Sequence, residues 1–270
     1  MAFLEIKNLT KSFGGKKVLA GINIALEEGA TLCLIGNSGS GKTTLLRILD
    51  FLEKKDEGLI TLDGRVLSGN EKLTGLEIAE RRKNFGLVFQ SYNLFPQYTV
   101  LENILLPLKI QLKKEIKEHA KTRPWRERRK AFQKEYALKL REKEAEIDGI
   151  LSKMNLLAKK GSYPYSLSGG EAQRTAIVRA LALHPKILCF DEPTSALDPR
   201  LKNEIAETIL ALKKGGTTMI VVTHEMAFAL KVADAVIYME DGKAIESGDA
   251  SILLHPKTQE LKDFLSWEAE

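Results

Sequence analysis

Gly36-Asn37-Ser38-Gly39-Ser40-Gly41-Lys42-Thr43 follows the apolar run Thr31-Leu32-Cys33-Leu34-Ile35 and opens a stretch, Thr43 to Leu52, whose spacing is helical. The run shows no polar face, as expected of a strand buried on both sides. Strand, glycine-rich turn and helix in this order make a phosphate-binding loop. The glycines let backbone amides close around phosphate oxygens, and the helix N-terminus adds partial positive charge. Lys42 is then expected to reach the β- and γ-phosphates of a nucleotide, and the Thr43 hydroxyl to bind Mg²⁺.

Far downstream, Ile187-Leu188-Cys189-Phe190 is a second apolar run, ending in Asp191-Glu192-Pro193. An acid pair that closes a strand before a proline is common in turns. Beside a phosphate loop it has a chemical use, because adjacent carboxylates are unfavourable without a cation and a bound Mg²⁺ accounts for Asp191. Glu192 is then free to orient or deprotonate the attacking water. Between these segments lies Leu167-Ser168-Gly169-Gly170-Glu171. Ser168 and Glu171 have capping-box spacing ahead of a helical stretch, 171–183. Glycines at a helix start expose amides, which makes a second anion site in the same chain.

Phosphate loop, Leu167–Glu171 and the acid pair, in this order, resemble the ATPase subunit of an ABC (ATP-binding cassette) transporter. The resemblance covers nearly the whole chain. It implies ATP and Mg²⁺ as cofactors, with Gly36, Asn37, Ser38, Gly39, Ser40, Gly41, Lys42, Thr43 and Thr44 around the phosphates. It further implies that Ser168, Gly169, Gly170 and Glu171 contact the γ-phosphate bound to a second copy of the chain, in a head-to-tail dimer. By the same resemblance Gln90 contacts Mg²⁺ and couples to the membrane partner, and His224 contacts the γ-phosphate. Ser195-Ala196-Leu197-Asp198 communicates across the dimer, and Asp198-Pro199 also suits an N-cap and first helical position. Phe13 stands where the family usually has a tyrosine stacked on adenine, and stacking survives without the hydroxyl; taken alone, Phe13 suits the core better. Glu171 departs from the family's usual glutamine and adds a negative charge near a phosphate.

Alternating strand and helix patterns predict an α/β fold. The resemblance implies a P-loop NTPase core with a mainly parallel sheet, a small antiparallel β subdomain and an inserted helical subdomain, the ABC ATPase fold. The whole chain, 1–270, is expected to be one ATPase domain: core about 1–90 and 181–250, helical subdomain about 91–180, and a C-terminal helical tail about 251–270. Phe3–Leu9 and Val18–Leu26 alternate around Gly14-Gly15, Leu59–Leu62 closes on Asp63-Gly64, and helix is expected from about 72. Thr99 and Glu102 fit a capping box.

No run of eighteen apolar residues occurs, so no membrane span is expected. The start, Met1 to Lys7, lacks the charge and apolar order of a signal peptide. Cys33 and Cys189 sit in apolar runs and suit small buried hydrophobes in a reducing compartment. The net charge of +5 is local: residues 112–146 hold 13 Lys/Arg against 7 Glu. A solvated helical extension is the first expectation for this basic segment, membrane or permease contact the second, and nucleic acid the third.

Tyr92-Asn93-Leu94-Phe95-Pro96, Thr223-His224-Glu225-Met226 and His255-Pro256-Lys257-Thr258 look most like bacterial importers of polar amino acids. The expected partners are a second copy, transmembrane permease subunits and, indirectly, a substrate-binding protein, with no nucleic acid. The expected location is peripheral, on the cytoplasmic face of the bacterial inner membrane. A lipoprotein-release or export cassette, a soluble relative acting on nucleic acid, and a nucleotide-gated clamp without turnover are the alternatives. Glu192 and His224 argue against the last.

Overall fold

The computed structural model describes residues 2–69, 71–120, 125–195 and 197–267; the side chains of 119, 120, 125–128 and 267 lie outside it, as does the break expected at Pro124. The chain divides into two compact units, Met1–Ser91 with Pro185–Glu270, and Tyr92–His184.

The first unit holds two sheets. One is antiparallel, in the order β2-β1-β4-β5, from β1 (Leu4–Phe13), β2 (Lys16–Leu26), β4 (Glu57–Leu62) and β5 (Arg65–Ser68). Both residues of the Gly14-Gly15 turn have positive φ, 54° and 81°, which favours a two-residue hairpin whose twist matches its strands. The other sheet has six strands in the order β10-β9-β3-β8-β7-β6. They are β3 (Thr31–Ile35), β6 (Phe85–Val88), β7 (Ile187–Asp191), β8 (Thr218–Val222), β9 (Ala235–Glu240) and β10 (Lys243–Gly248). All neighbours pair in parallel except β9 and β10. Every residue of β3 and β8 is buried, which is why these runs carry no alternation. One core cluster takes in Leu4, Ile6 and Leu62 of the antiparallel sheet, Leu45 and Leu49 of α1 (Lys42–Leu49), and Leu34, Cys189 and Val222 of the parallel strands.

Several boundaries differ from the sequence expectation. The helix after the phosphate loop stops at Leu49, because Phe51 turns to φ 53° and its amide bonds back to Ile48. The region from 72 gives only α2 (Gly75–Arg82), opened by a Thr74–Glu77 capping box, before the chain returns to strand as β6. The hairpin of β9 and β10 precedes a C-terminal region made of a short 3-10 turn, Ala250–Leu253, and α8 (Gln259–Trp267). Helices α6 (Pro199–Lys214) and α7 (Met226–Val232) complete this unit.

The second unit is helical: α3 (Val100–Ala120), α4 (Trp125–Lys153) and α5 (Gly169–Leu181), with 3-10 turns at Leu157–Lys159 and Pro164–Ser166. Its core gathers Val100, Ile104, Leu105 and Leu108 from α3, Ile147 and Leu151 from α4, and Val178 from α5. Thr99 and Glu102 exchange the two capping-box bonds at the start of α3, at 2.8 and 3.3 Å. Among the described residues, no helix is long and apolar enough to cross a membrane.

Candidate nucleotide site

The carboxyl ends of neighbouring parallel strands deliver the site, which is where ligands bind in open α/β sheets. β3 runs into Gly36–Thr43, β7 ends at Asp191, β8 leads to Thr223 and His224, and β6 leads to Gln90. The junctions are stitched together: the Thr223 amide donates to Leu34 O at 3.1 Å, and the Glu192 amide to Val222 O at 3.0 Å. At Gly36, φ is 137° and a Cβ would collide with the carbonyl oxygen of Met239 on β9, so only glycine lets the chain leave β3 here. Gly41, the N-cap of α1, supplies no side-chain cap, so the first amides of that helix stay open to an anion.

Lys42 is 6% exposed, and its ammonium donates to Gly36 O at 2.7 Å, Asn37 O at 2.8 Å and Ser40 Oγ at 3.2 Å. Burial pulls its pKa down, while the carboxylates of Glu192 and Asp191 pull it back up. Asn37, Ser38 and Gly39 are exposed at the loop tip, and Thr44 is half-buried on α1.

Thr43 Oγ1 donates to Asp191 Oδ1 at 3.0 Å. Burial foremost, and the neighbouring Glu192 charge, push the Asp191 pKa up, against the Thr43 hydrogen bond and Lys42. A hydroxyl beside a carboxylate that gains from a nearby cation fits Mg²⁺. Among the described residues no group of three or more His, Cys, Asp or Glu could hold a metal.

Glu192 adopts φ 50°, an uncommon backbone for a residue with a side chain, which costs on the order of 1 kcal/mol and clusters at functional sites. Ser195 holds the bend, its amide and hydroxyl donating to Glu192 O at 3.3 and 3.2 Å. The Glu192 carboxylate lies 3.5 Å from Nδ1 of His224. Asp198 caps α6 by accepting from the Leu201 amide at 3.0 Å, while Ala196 lies outside the described residues.

Phe13 is 45% exposed, so it is no core residue. The Lys11 ammonium sits 4.6 Å from its ring centroid and pairs with Glu53 at 2.9 Å. Gln90 is exposed in the turn after β6.

In the helical unit, Ser168 and Glu171 complete the capping box: the Glu171 amide donates to Ser168 Oγ at 3.2 Å, and the Ser168 amide to Glu171 Oε2 at 2.8 Å. Gly169 and Gly170 are the first residues of α5. The Ser168 amide, against the opposing effect of burial, and the Lys159 ammonium hold the Glu171 carboxyl below its usual range. Arg179 and Asn103 were not singled out by any motif. Arg179 donates to Tyr92 O and Asn93 O at 2.8 and 2.6 Å, and Asn103 bonds the backbone of Phe95, Tyr98 and Thr99. Together they fix the segment Tyr92–Pro96.

The profile of the ABC transporter family matches residues 19–195, which take in the phosphate loop, Gln90, Ser168–Glu171, Asp191 and Glu192. An arginine transport ATP-binding protein, ArgV of Corynebacterium glutamicum, is 40% identical over 97% of this chain and 97% of its own length. An L-cystine transport system ATP-binding protein, TcyN of Escherichia coli K12, is 42% identical over 98% of each. Among solved structures, the ATP-binding cassette MJ0796, a dimer bound to ADP and Pi after hydrolysis, superposes with a TM-score of 0.68 at 32% identity, over 92% of this chain and 98% of that one. The chain belongs to the ABC transporter family and is one of its ATP-hydrolysing cassettes.

Proposed function

We propose that this chain powers the import of a polar amino acid, hydrolysing ATP in a head-to-tail dimer docked on separate transmembrane subunits at the cytoplasmic face of a bacterial inner membrane. The observation that carries the catalytic part is the convergence of Lys42, Thr43, Asp191, Glu192 and His224 at adjoining strand ends. The names of the relatives, arginine and cystine transporters aligned over nearly the full chain, support the substrate class. So do the segments Tyr92–Pro96, Thr223–Met226 and His255–Thr258.

In this assignment the loop amides of Gly36–Thr44 and the Lys42 ammonium bind the β- and γ-phosphates, and Phe13 presents its open face to the adenine. Thr43, Asp191 and Gln90 would hold Mg²⁺, which when bound neutralises phosphate charge. Glu192 orients the attacking water and accepts its proton. His224 fixes the Glu192 carboxylate and adds a donor for the γ-phosphate. Ser168, Gly169, Gly170 and Glu171 of one copy close over the ATP held by the other, and Asp198 lies along the shared face.

Glu192→Gln is the test. ATP binding should persist, hydrolysis should fall at least about 100-fold, and an ATP-dependent dimer should accumulate on gel filtration. Hydrolysis at the wild-type rate would remove Glu192 from its role. Uptake of labelled amino acids by vesicles holding the cassette and its permease tests the substrate class; no stimulation by any polar amino acid would overturn it.

A further inference from the structure

Glu171 places a carboxylate in the first turn of α5, where the open amides of Gly169 and Gly170 begin the helix. An uncompensated negative charge there would offset the partial positive charge of the helix N-terminus. The carboxylate is not uncompensated. One oxygen accepts the Ser168 amide at 2.8 Å, and the other lies 3.3 Å from the Lys159 ammonium. Lys159 belongs to the 3-10 turn Leu157–Lys159, whose backbone is pinned on both sides. Its amide donates to Leu156 O at 2.9 Å, its carbonyl accepts the Ser162 amide at 2.9 Å, and Leu156 is wholly buried. The adjacent Lys160 is engaged elsewhere, with Asp148 at 2.7 Å. Lys159 is therefore held within reach of Glu171 by the fold.

We propose that Lys159 is a positioning residue of the ATPase cycle: it cancels the Glu171 charge, so that the Ser168–Glu171 helix start keeps its affinity for the γ-phosphate of the ATP bound to the second copy. This rests on the dimer reading above. Glu171 keeps its capping geometry, which sets the directions of the Ser168, Gly169 and Gly170 amides, and Lys159 removes the electrostatic cost.

The two residues make a double-mutant cycle. In a Glu192→Gln background, the ATP concentration giving half-maximal dimer is measured by light scattering for the parent, Lys159→Gln, Glu171→Gln and the double variant. Lys159→Gln should raise that concentration about threefold to tenfold, an effect that shrinks as salt is raised. Glu171→Gln still completes the capping box, and its own midpoint is the reference for the double variant. The double variant should match Glu171→Gln to within about twofold, and Lys159→Arg should match the parent. No shift in Lys159→Gln overturns the proposal. A double variant as impaired as Lys159→Gln also overturns it, because Lys159 would then act on the nucleotide directly. If the parent itself forms no dimer with ATP, the dimer reading falls and this inference with it; a dimerising parent with an indifferent Lys159 sinks the inference alone.

Discussion

His224 Nδ1 stands 3.5 Å from Glu192 Oε2, joining the residues that follow two neighbouring strands, β8 and β7. The imidazole lies beside a carboxylate whose own backbone is bent into the left-handed region at φ 50°. His224→Ala should therefore lower kcat by about 100-fold, the scale of a lost acid–base group or its positioner. The binding constant for ATP should change by less than about fivefold, because the phosphate loop is untouched. Single-turnover hydrolysis beside equilibrium nucleotide binding separates the two. Equal losses in both would mean that His224 acts mainly in binding.

Gly36→Ala tests the exit from β3. The added methyl meets the Met239 carbonyl, and φ 137° is open only to glycine. Either β9 moves away or the loop is lost. The expected cost is at least about 3 kcal/mol, the upper part of the range for a strained backbone, with the steric clash added. Thermal unfolding should fall sharply, and ATP should no longer stabilise the protein. Unchanged melting with and without ATP would contradict the loop geometry.

The strand ends were legible because a strand buried on both faces writes itself as an unbroken apolar run, and the runs of β3 and β7 lead straight into the phosphate loop and Asp191. Their adjacency was not legible: that Thr43 meets Asp191 and Glu192 meets His224 follows from the strand order, which no local pattern encodes. The hairpin of β9 and β10 leaves little mark in the sequence beyond the turn signal Asp241-Gly242. β10, Lys-Ala-Ile-Glu-Ser-Gly, is an edge strand with only Glu246 buried, so it lacks an apolar face. Lys159 was invisible for a related reason, since its meeting with Glu171 depends on how two 3-10 turns fold the chain back before α5.

Asp50, just beyond α1, is 6% exposed and faces Arg82 at 3.4 Å. Burial pushes its pKa up to about 6, although the Arg82 charge and hydrogen bond pull it down. A folded pKa above the unfolded value means that the folded chain holds the extra proton between about pH 4 and 6. This group's contribution to stability therefore falls as pH rises through that window, by about 3 kcal/mol at 1.36 kcal/mol per unit. Asp50→Asn should be more stable than the parent at pH 7.5, and the advantage should vanish near pH 4. Urea unfolding at the two pH values reads this directly. A variant less stable than the parent at pH 7.5 would show that the Arg82 pairing outweighs the cost of burial.

Glu246 holds the C-terminal region. Its buried carboxylate accepts the Thr258 amide at 2.8 Å, the Thr258 hydroxyl at 2.6 Å and the Lys257 amide at 3.1 Å. Beyond this anchor, Leu261 is wholly buried on α8, and the Phe264 ring lies tilted against Tyr238 of β9 with centroids 5.1 Å apart. Burial raises the Glu246 pKa, but the Thr258 and Lys257 donors outweigh it and leave the value lowered. This stabilisation is therefore present above the unfolded carboxylate pKa and is lost as pH falls through the lower folded value. Glutamine would keep one acceptor oxygen but turn an amide NH₂ toward a cluster of donors. Glu246→Gln should therefore cost about 1.5–3 kcal/mol, the range for hydrogen bonds to a charged group. Hydrogen exchange should rise in residues 255–267 at pH 7, while the amides of β3 and β8 stay protected. Protection in 255–267 equal to the parent's would mean that the packing of Leu261 and Phe264 holds α8 without its anchor.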